Sequence, residues 1–153
     1  MVALSRSGKV DTDRITIQRD RTALRRLSCS KPLARALTDG IITKGTAVFD
    51  YGCGYGADLR YLRSRRIRAD GWDPYHRPRQ KVVQADVVNL IYVLNVIENP
   101  TERDETLARA FALAKRVLIV AVRIESALDG AEEFADGVVT CRGTFQRIYT
   151  QGE

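Results

Sequence analysis

Val48-Phe49-Asp50-Tyr51-Gly52-Cys53-Gly54-Tyr55-Gly56-Ala57-Asp58-Leu59-Arg60-Tyr61-Leu62 decides the fold. An apolar strand ends in an acid and breaks into three glycines at alternate positions. A helical segment follows at once. Glycine permits positive φ and lets a ligand approach bare backbone, and the turn opens on a helix N-terminus, a place for polar or anionic groups. The spacing is G-x-G-x-G, not the G-x-G-x-x-G of dinucleotide folds. It points away from NAD and towards S-adenosylmethionine.

Outward from this turn, strand-like and helical stretches alternate. Ala47 to Tyr51 is the first strand, and the helix after the glycines runs to about Ser64. Ile67 to Asp73 is the second strand and Asp86 to Tyr92 the third, apolar as if covered on both faces. Thr101 to Lys115 is a helix whose Leu107, Ala110, Phe111 and Ala114 share a face. Val117 to Val122 is a fourth, wholly apolar strand. Val138 to Cys141 and Thr144 to Tyr149 add a strand or hairpin across Arg142-Gly143. Such alternation argues for an α/β, Rossmann-like three-layer sandwich with a mostly parallel sheet.

Upstream, a helical reading begins near Thr22, with Leu24, Leu27, Leu33, Ala34 and Leu37 loosely on one face. Pro32 kinks it or starts a new helix, Ser30 is the natural N-cap and Asp39-Gly40 ends it. Residues 1–21 read as a flexible lead-in and 22–153 as one domain, which suits 153 residues. Twelve residues separate Asp73 from Asp86, too few for a parallel crossover with its own helix and strand. One βα unit between the second and fourth strands is therefore expected to be missing. The chain stops straight after a strand-like run, so its C-terminus reads as truncated or its domain as minimal.

Composition limits the function classes. No apolar run approaches the ~20 residues of a membrane span, and Met1 to Arg6 lacks a secretory core. A cytoplasmic protein without membrane attachment is expected. Cys29, Cys53 and Cys141 are far apart, and His76 is the sole histidine. No metal site or disulfide framework is expected. Arginine outnumbers lysine by 20 to 5 in a chain of net charge +6. Arg19, Arg21, Arg25 and Arg26 form one cluster; Arg60, Arg63, Arg65, Arg66 and Arg68, followed by Arg77 and Arg79, form another. Such balance suits a nucleic-acid partner. A solvated arginine-biased surface accounts for it equally well.

In open α/β sheets ligands bind beyond the C-terminal strand ends. Asp50 and the Gly52, Gly54, Gly56 turn lie there, with Asp73, 23 residues after Asp50. A carboxylate so placed can accept from both hydroxyls of a ribose, or it can cap a turn before Pro74. The third strand closes at Asn89 to Tyr92, so a methyl donor's sulfonium would face Asn89, Tyr92 and Asn95. Asn89 can equally satisfy strand-end backbone, Tyr92 can be core, and His76 can be a plain loop residue. Asp58 either caps its helix or meets the donor's amino-acid tail.

At these residues the chain resembles class I S-adenosylmethionine-dependent methyltransferases. Val48 to Gly56 matches their first cofactor motif and Gly71-Trp72-Asp73 their second-strand acid. The shortened gap, Gly71 to Pro78, Ala85 to Leu90 and Asn95-Val96-Ile97-Glu98-Asn99-Pro100 are similar to a narrower group, the methyltransferases associated with DNA phosphorothioation systems. Arg142-Gly143-Thr144-Phe145-Gln146 fits it too, and the likeness covers Thr22 to Gln151. The resemblance implies S-adenosylmethionine binding at Asp50, Gly52, Gly54, Gly56 and Asp73, with Tyr51, Cys53, Pro74 and Asn89 completing the expected cofactor set. Asn89, Tyr92 and Asn95 form the expected acceptor side. It also implies a nucleic-acid context, bacterial DNA modification or defence, with protein partners from such a system. Asn89-Leu90-Ile91-Tyr92 keeps the ends of the Asp/Asn-Pro-Pro-aromatic pattern of amino-methylating DNA enzymes but neither proline. No cysteine follows a proline as in cytosine-C5 enzymes. The alternative is a non-catalytic Rossmann-like subunit that binds cofactor or DNA.

Overall fold

A computed structural model describes residues 16–124 and 130–152. Four parallel strands form the main sheet: β1 (Ala47–Tyr51), β2 (Arg68–Trp72), β3 (Ala85–Ile91) and β4 (Ala114–Ala121), in the order β2-β1-β3-β4. Helices α1 (Lys31–Thr38) and α2 (Ala57–Ser64) bring Leu33, Ala36, Leu59 and Leu62 onto one face. The other face carries Phe49, Val88 and Leu90, covered by Ala110 of α3 (Pro100–Leu113) and by Leu94. This is the α/β three-layer arrangement that the alternation predicts, compatible with a Rossmann-like fold.

The strand pattern follows from burial on both faces. Along β3, Val87 packs with α1 and α2, Val88 with the opposite cluster, and no position from Val87 to Ile91 faces solvent. Residues between β2 and β3 form a turn with a bridge from Asp73 to Arg77 and no helix. Gly71 is fixed by the sheet itself. A Cβ there would lie 2.8 Å from the Asp50 carbonyl oxygen and 3.0 Å from Leu59 Cδ1. Gly71→Ala is expected to destabilise the fold by about 1–3 kcal/mol, the usual penalty of overpacking. A chemical-denaturation midpoint unchanged from wild type would refute that account.

Several expectations are corrected. No helix begins at Thr22: Arg19–Thr22 is a 3-10 turn, residues 23–30 run without regular structure, and Leu24 and Leu27 are exposed. Ser30 does cap α1, its hydroxyl accepting from Leu33 N–H, and this role requires the extended backbone it adopts. On α3 the apolar stripe is only in part the core face: its Ala110 is buried, but Leu107 and Phe111 are exposed. Phe111 is 70% exposed, whereas Arg103 and Thr106 are buried. Among the described residues, strand β4 pairs only with β3, and it exposes Val120. Of the lead-in, residues 1–15 lie outside the described part. Residues 16–21 are tied down, with Gln18 N–H donating to the Gly143 carbonyl at 2.7 Å.

The C-terminal hairpin forms, and a third strand joins it. Strands β5 (Glu132–Phe134), β6 (Gly137–Val139) and β7 (Phe145–Gln146) make a separate antiparallel sheet. The turn between β6 and β7 uses Gly143 at φ +72°. The small sheet docks on the 3-10 turn Leu94–Val96: Arg147 N–H donates to the Asn95 carbonyl, and Asn95 Nδ2 donates to Gln146 Oε1. No helix among the described residues is long and apolar enough to cross a membrane.

Candidate functional site

The chain turns one way from β1 to β2 and the other way to β3, so a topological switch point lies between β1 and β3. A cavity of about 340 Å³ opens there, beyond the C-terminal strand ends. Its size is that of a small-molecule site. Tyr51, Gly52, Cys53 and Gly54 form its floor, Trp72, Asp73 and Pro74 one wall, and Tyr92 and Val93 another. The Tyr51 and Trp72 rings lie 5.2 Å apart and make an aromatic corner beside them.

Gly52, Gly54 and Gly56 all have positive φ, at 84°, 51° and 74°. Side chains would strain each of them. The space they leave is used by the protein's own atoms: a Cβ on Gly52 would strike Val93, one on Gly54 would press on Ala23, and one on Gly56 would meet the Arg77 guanidinium. The cavity lies beside this packed turn. Tyr92 is the sharper conformational signal. It is a bulky residue at φ 59°, held by its N–H on the Ala121 carbonyl at 2.7 Å. Such backbone costs about 1–3 kcal/mol and clusters at functional sites.

Asp73 already has heavy duties. Its Oδ1 accepts from Tyr75 and His76 N–H, both at 2.9 Å, and its Oδ2 accepts from Gly54 N–H at 3.0 Å. The carboxylate thus caps its own turn and fastens the glycine loop to β2. One Oδ2 lone pair remains for a ligand hydroxyl.

Asp50, Gly56, Asn89 and Asn95 do not line the cavity. Asp50 and Asn89 are partners in register across β1 and β3, beneath α2. Asn89 is 0% exposed, and neither its Oδ1 nor its Nδ2 finds a partner among the described residues. Burial, reinforced by the Asp58 and Asp73 carboxylates and opposed by Arg26, raises Asp50 to about 7. Burial and the same Asp50 and Asp73 charges push the Cys53 thiol up to about 12, which makes it a poor nucleophile. Asp58 neither caps α2 nor reaches the cavity. Its two oxygens accept from Ser30 N–H and Oγ–H at 2.7 and 2.6 Å, joining α2 to the cap of α1. Asn95 is buried, with its amide on the small sheet.

Sequence reasoning missed the cavity's cover. Arg19, Thr22, Ala23 and Leu24 pass across it, and Glu102, Thr106 and Arg109 of α3 complete the rim. Arg19 is clamped between two carboxylates: Nε and Nη2 donate to Glu98 at 2.9 and 2.7 Å, Nη1 and Nη2 to Glu102 at 2.7 Å. Burial alone would raise Glu98, but the Arg19 bonds outweigh it and hold the carboxyl below its usual range. The strap is further fixed by the Asp20 carbonyl, 3.0 Å from His76 Nε2. The spacing of Glu102, Thr106 and Arg109 along α3 was the available signal, a polar stripe beside the apolar one. Nothing local in residues 19–24 announces a cover.

Comparison with models of known families, with curated proteins and with solved structures returned no match.

Proposed function

We propose that this chain is an S-adenosylmethionine-dependent methyltransferase domain acting on or alongside nucleic acid. The observation that carries the reading is the position of the cavity. It lies at the switch point of a parallel sheet, floored by the first two glycines of a G-x-G-x-G turn and walled by the acid that follows the second strand. The residues fit the cofactor. Tyr51 and Trp72 offer an aromatic corner to a base, Asp73 keeps one acceptor position for a ribose hydroxyl, and Gly52 to Gly54 line the cavity, though Val93 and Ala23 fill the space beside their α-carbons. The bound donor supplies a methyl activated by its sulfonium. The chain's part is alignment of acceptor and donor, and exclusion of water under the strap of Arg19 to Leu24. The missing βα unit, the cytoplasmic location and partners from a DNA modification system belong to the same proposal.

A second reading is a cofactor- or DNA-binding subunit without catalysis. It draws on the absence of Asn89 and Asn95 from the cavity, which leaves Tyr92 alone of the three acceptor-side residues there. Calorimetric titration with S-adenosylmethionine and S-adenosylhomocysteine tests the shared premise. Saturable binding of both is expected. No heat from either at high concentration refutes both cofactor readings. Radiolabelled methyl transfer to DNA or RNA pools then separates enzyme from subunit.

A further inference from the structure

The arginine clusters of the sequence divide in three dimensions. Arg19, Arg26 and Arg63 are each paired with carboxylates. Arg25, Arg60, Arg77 and Arg79 have no ion pair among the described residues, and all four gather at Tyr55. The Arg25 guanidinium lies 4.2 Å from the Tyr55 ring centre. Arg60 Nη1 donates to the Tyr55 carbonyl at 2.7 Å. Arg77 lies across Gly56, next in the chain, and Arg79 lines the same hollow as Tyr55 and Arg77. This hollow also includes His76, whose ring lies tilted against that of Tyr55 with centres 4.2 Å apart. Tyr55 and His76 line the main cavity as well, so they form the wall between the two.

Four cations around one tyrosine, none of them ion-paired with a carboxylate among the described residues, repel one another. The arrangement raises the free energy of the fold and lowers it again only when anions arrive. Guanidinium forks match phosphate oxygens in geometry as well as charge. Resting on the reading of the main cavity given above, we propose that the hollow at Tyr55, Arg77 and Arg79 binds backbone phosphates of a single nucleic-acid strand and so delivers that strand to the neighbouring cavity. A strand, rather than a free phosphorylated metabolite, fits because exposed Lys81 directly follows Gln80 of the hollow and adds a further cation. It also fits because the hollow opens beside the cavity where an acceptor group would be needed.

Binding of a fluorescein-labelled oligodeoxythymidine, followed by polarisation over a range of salt, tests this. Wild type should bind with an affinity that falls steeply with salt. The Arg60→Gln/Arg79→Gln variant, which changes two exposed side chains, should bind several-fold more weakly. Its log–log salt slope should be shallower by about 0.7 for each phosphate no longer neutralised. Arg77→Gln should do the same for one phosphate. A control with equal charge change, Arg66→Gln/Arg68→Gln, should retain near wild-type affinity. Unlabelled adenosine triphosphate and inorganic phosphate should compete only weakly.

Equal loss in the control pair, no strand binding by wild type, or competition by adenosine triphosphate as strong as that by unlabelled strand each overturns the proposal. S-adenosylmethionine titrated into the same variants separates the two readings. Donor binding that survives while strand binding fails to respond sinks the hollow and spares the cavity. Strand binding that responds while no variant binds donor sinks the cavity reading alone.

Discussion

Asp73→Ala is expected to remove binding of the proposed methyl donor and to weaken the fold together. The substitution strips the acceptor from three backbone N–H groups, those of Gly54, Tyr75 and His76. Hydrogen bonds to a charged group contribute about 1.5–3 kcal/mol each. Tyr75 is exposed and can turn to water, so a net loss of about 2–4 kcal/mol is expected by urea denaturation. Asp73→Asn separates the two duties. The amide keeps an oxygen for Tyr75 and His76 but can place a donor where Oδ2 now accepts. That variant should lose less stability, yet bind S-adenosylmethionine at least about tenfold more weakly, because a ribose hydroxyl loses a charged acceptor. If calorimetry gives Asp73→Asn wild-type affinity, Asp73 is a turn cap and no more.

The second large effect is a dependence on pH. Asp50 titrates near 7 in the fold against 3.8 in the unfolded chain, because burial and the Asp58 and Asp73 charges disfavour its anion. Below about pH 4 the carboxyl is neutral in both states and carries no penalty. Between there and about pH 7 the unfolded chain gives up its proton while the native chain keeps it, so stability falls as pH rises. The full penalty stands above that window, on the order of 4 kcal/mol. Asp50→Asn cannot ionise, so it carries no such penalty at any pH. The variant should therefore be markedly more stable than wild type at about pH 8 and should lose that advantage near pH 4. A stability difference that stays flat across this range would defeat the account of the buried carboxylates.

Tyr92 and Asn89 show how a single strand divides into readable and unreadable parts. The uninterrupted apolar run predicts a strand covered on both faces, and Val87 to Ile91 are buried accordingly. Which face each residue takes is set by register against β1. That register places Asn89 beside Asp50 beneath α2 and leaves Tyr92 at the cavity. A residue-by-residue resemblance puts both in one site; the end of β3 at Ile91 and the positive φ of Tyr92 separate them.

Local chemistry determined much of this protein from sequence alone. Alternating apolar runs and helical periods specify the parallel sheet and its two helical layers. Glycines at positive φ specify the turn after β1, and Ser30 with Pro32 specifies the start of α1. These depend on neighbours in the chain, whose spacing is written in the sequence. The cover of Arg19 to Leu24, the clamp by Glu98 and Glu102, the buried stripe of Arg103 and Thr106 and the gathering of four arginines at Tyr55 depend on residues up to 83 positions apart. Only the closed tertiary structure decides them, because a charge finds its partner, or is left without one, according to what packing places beside it.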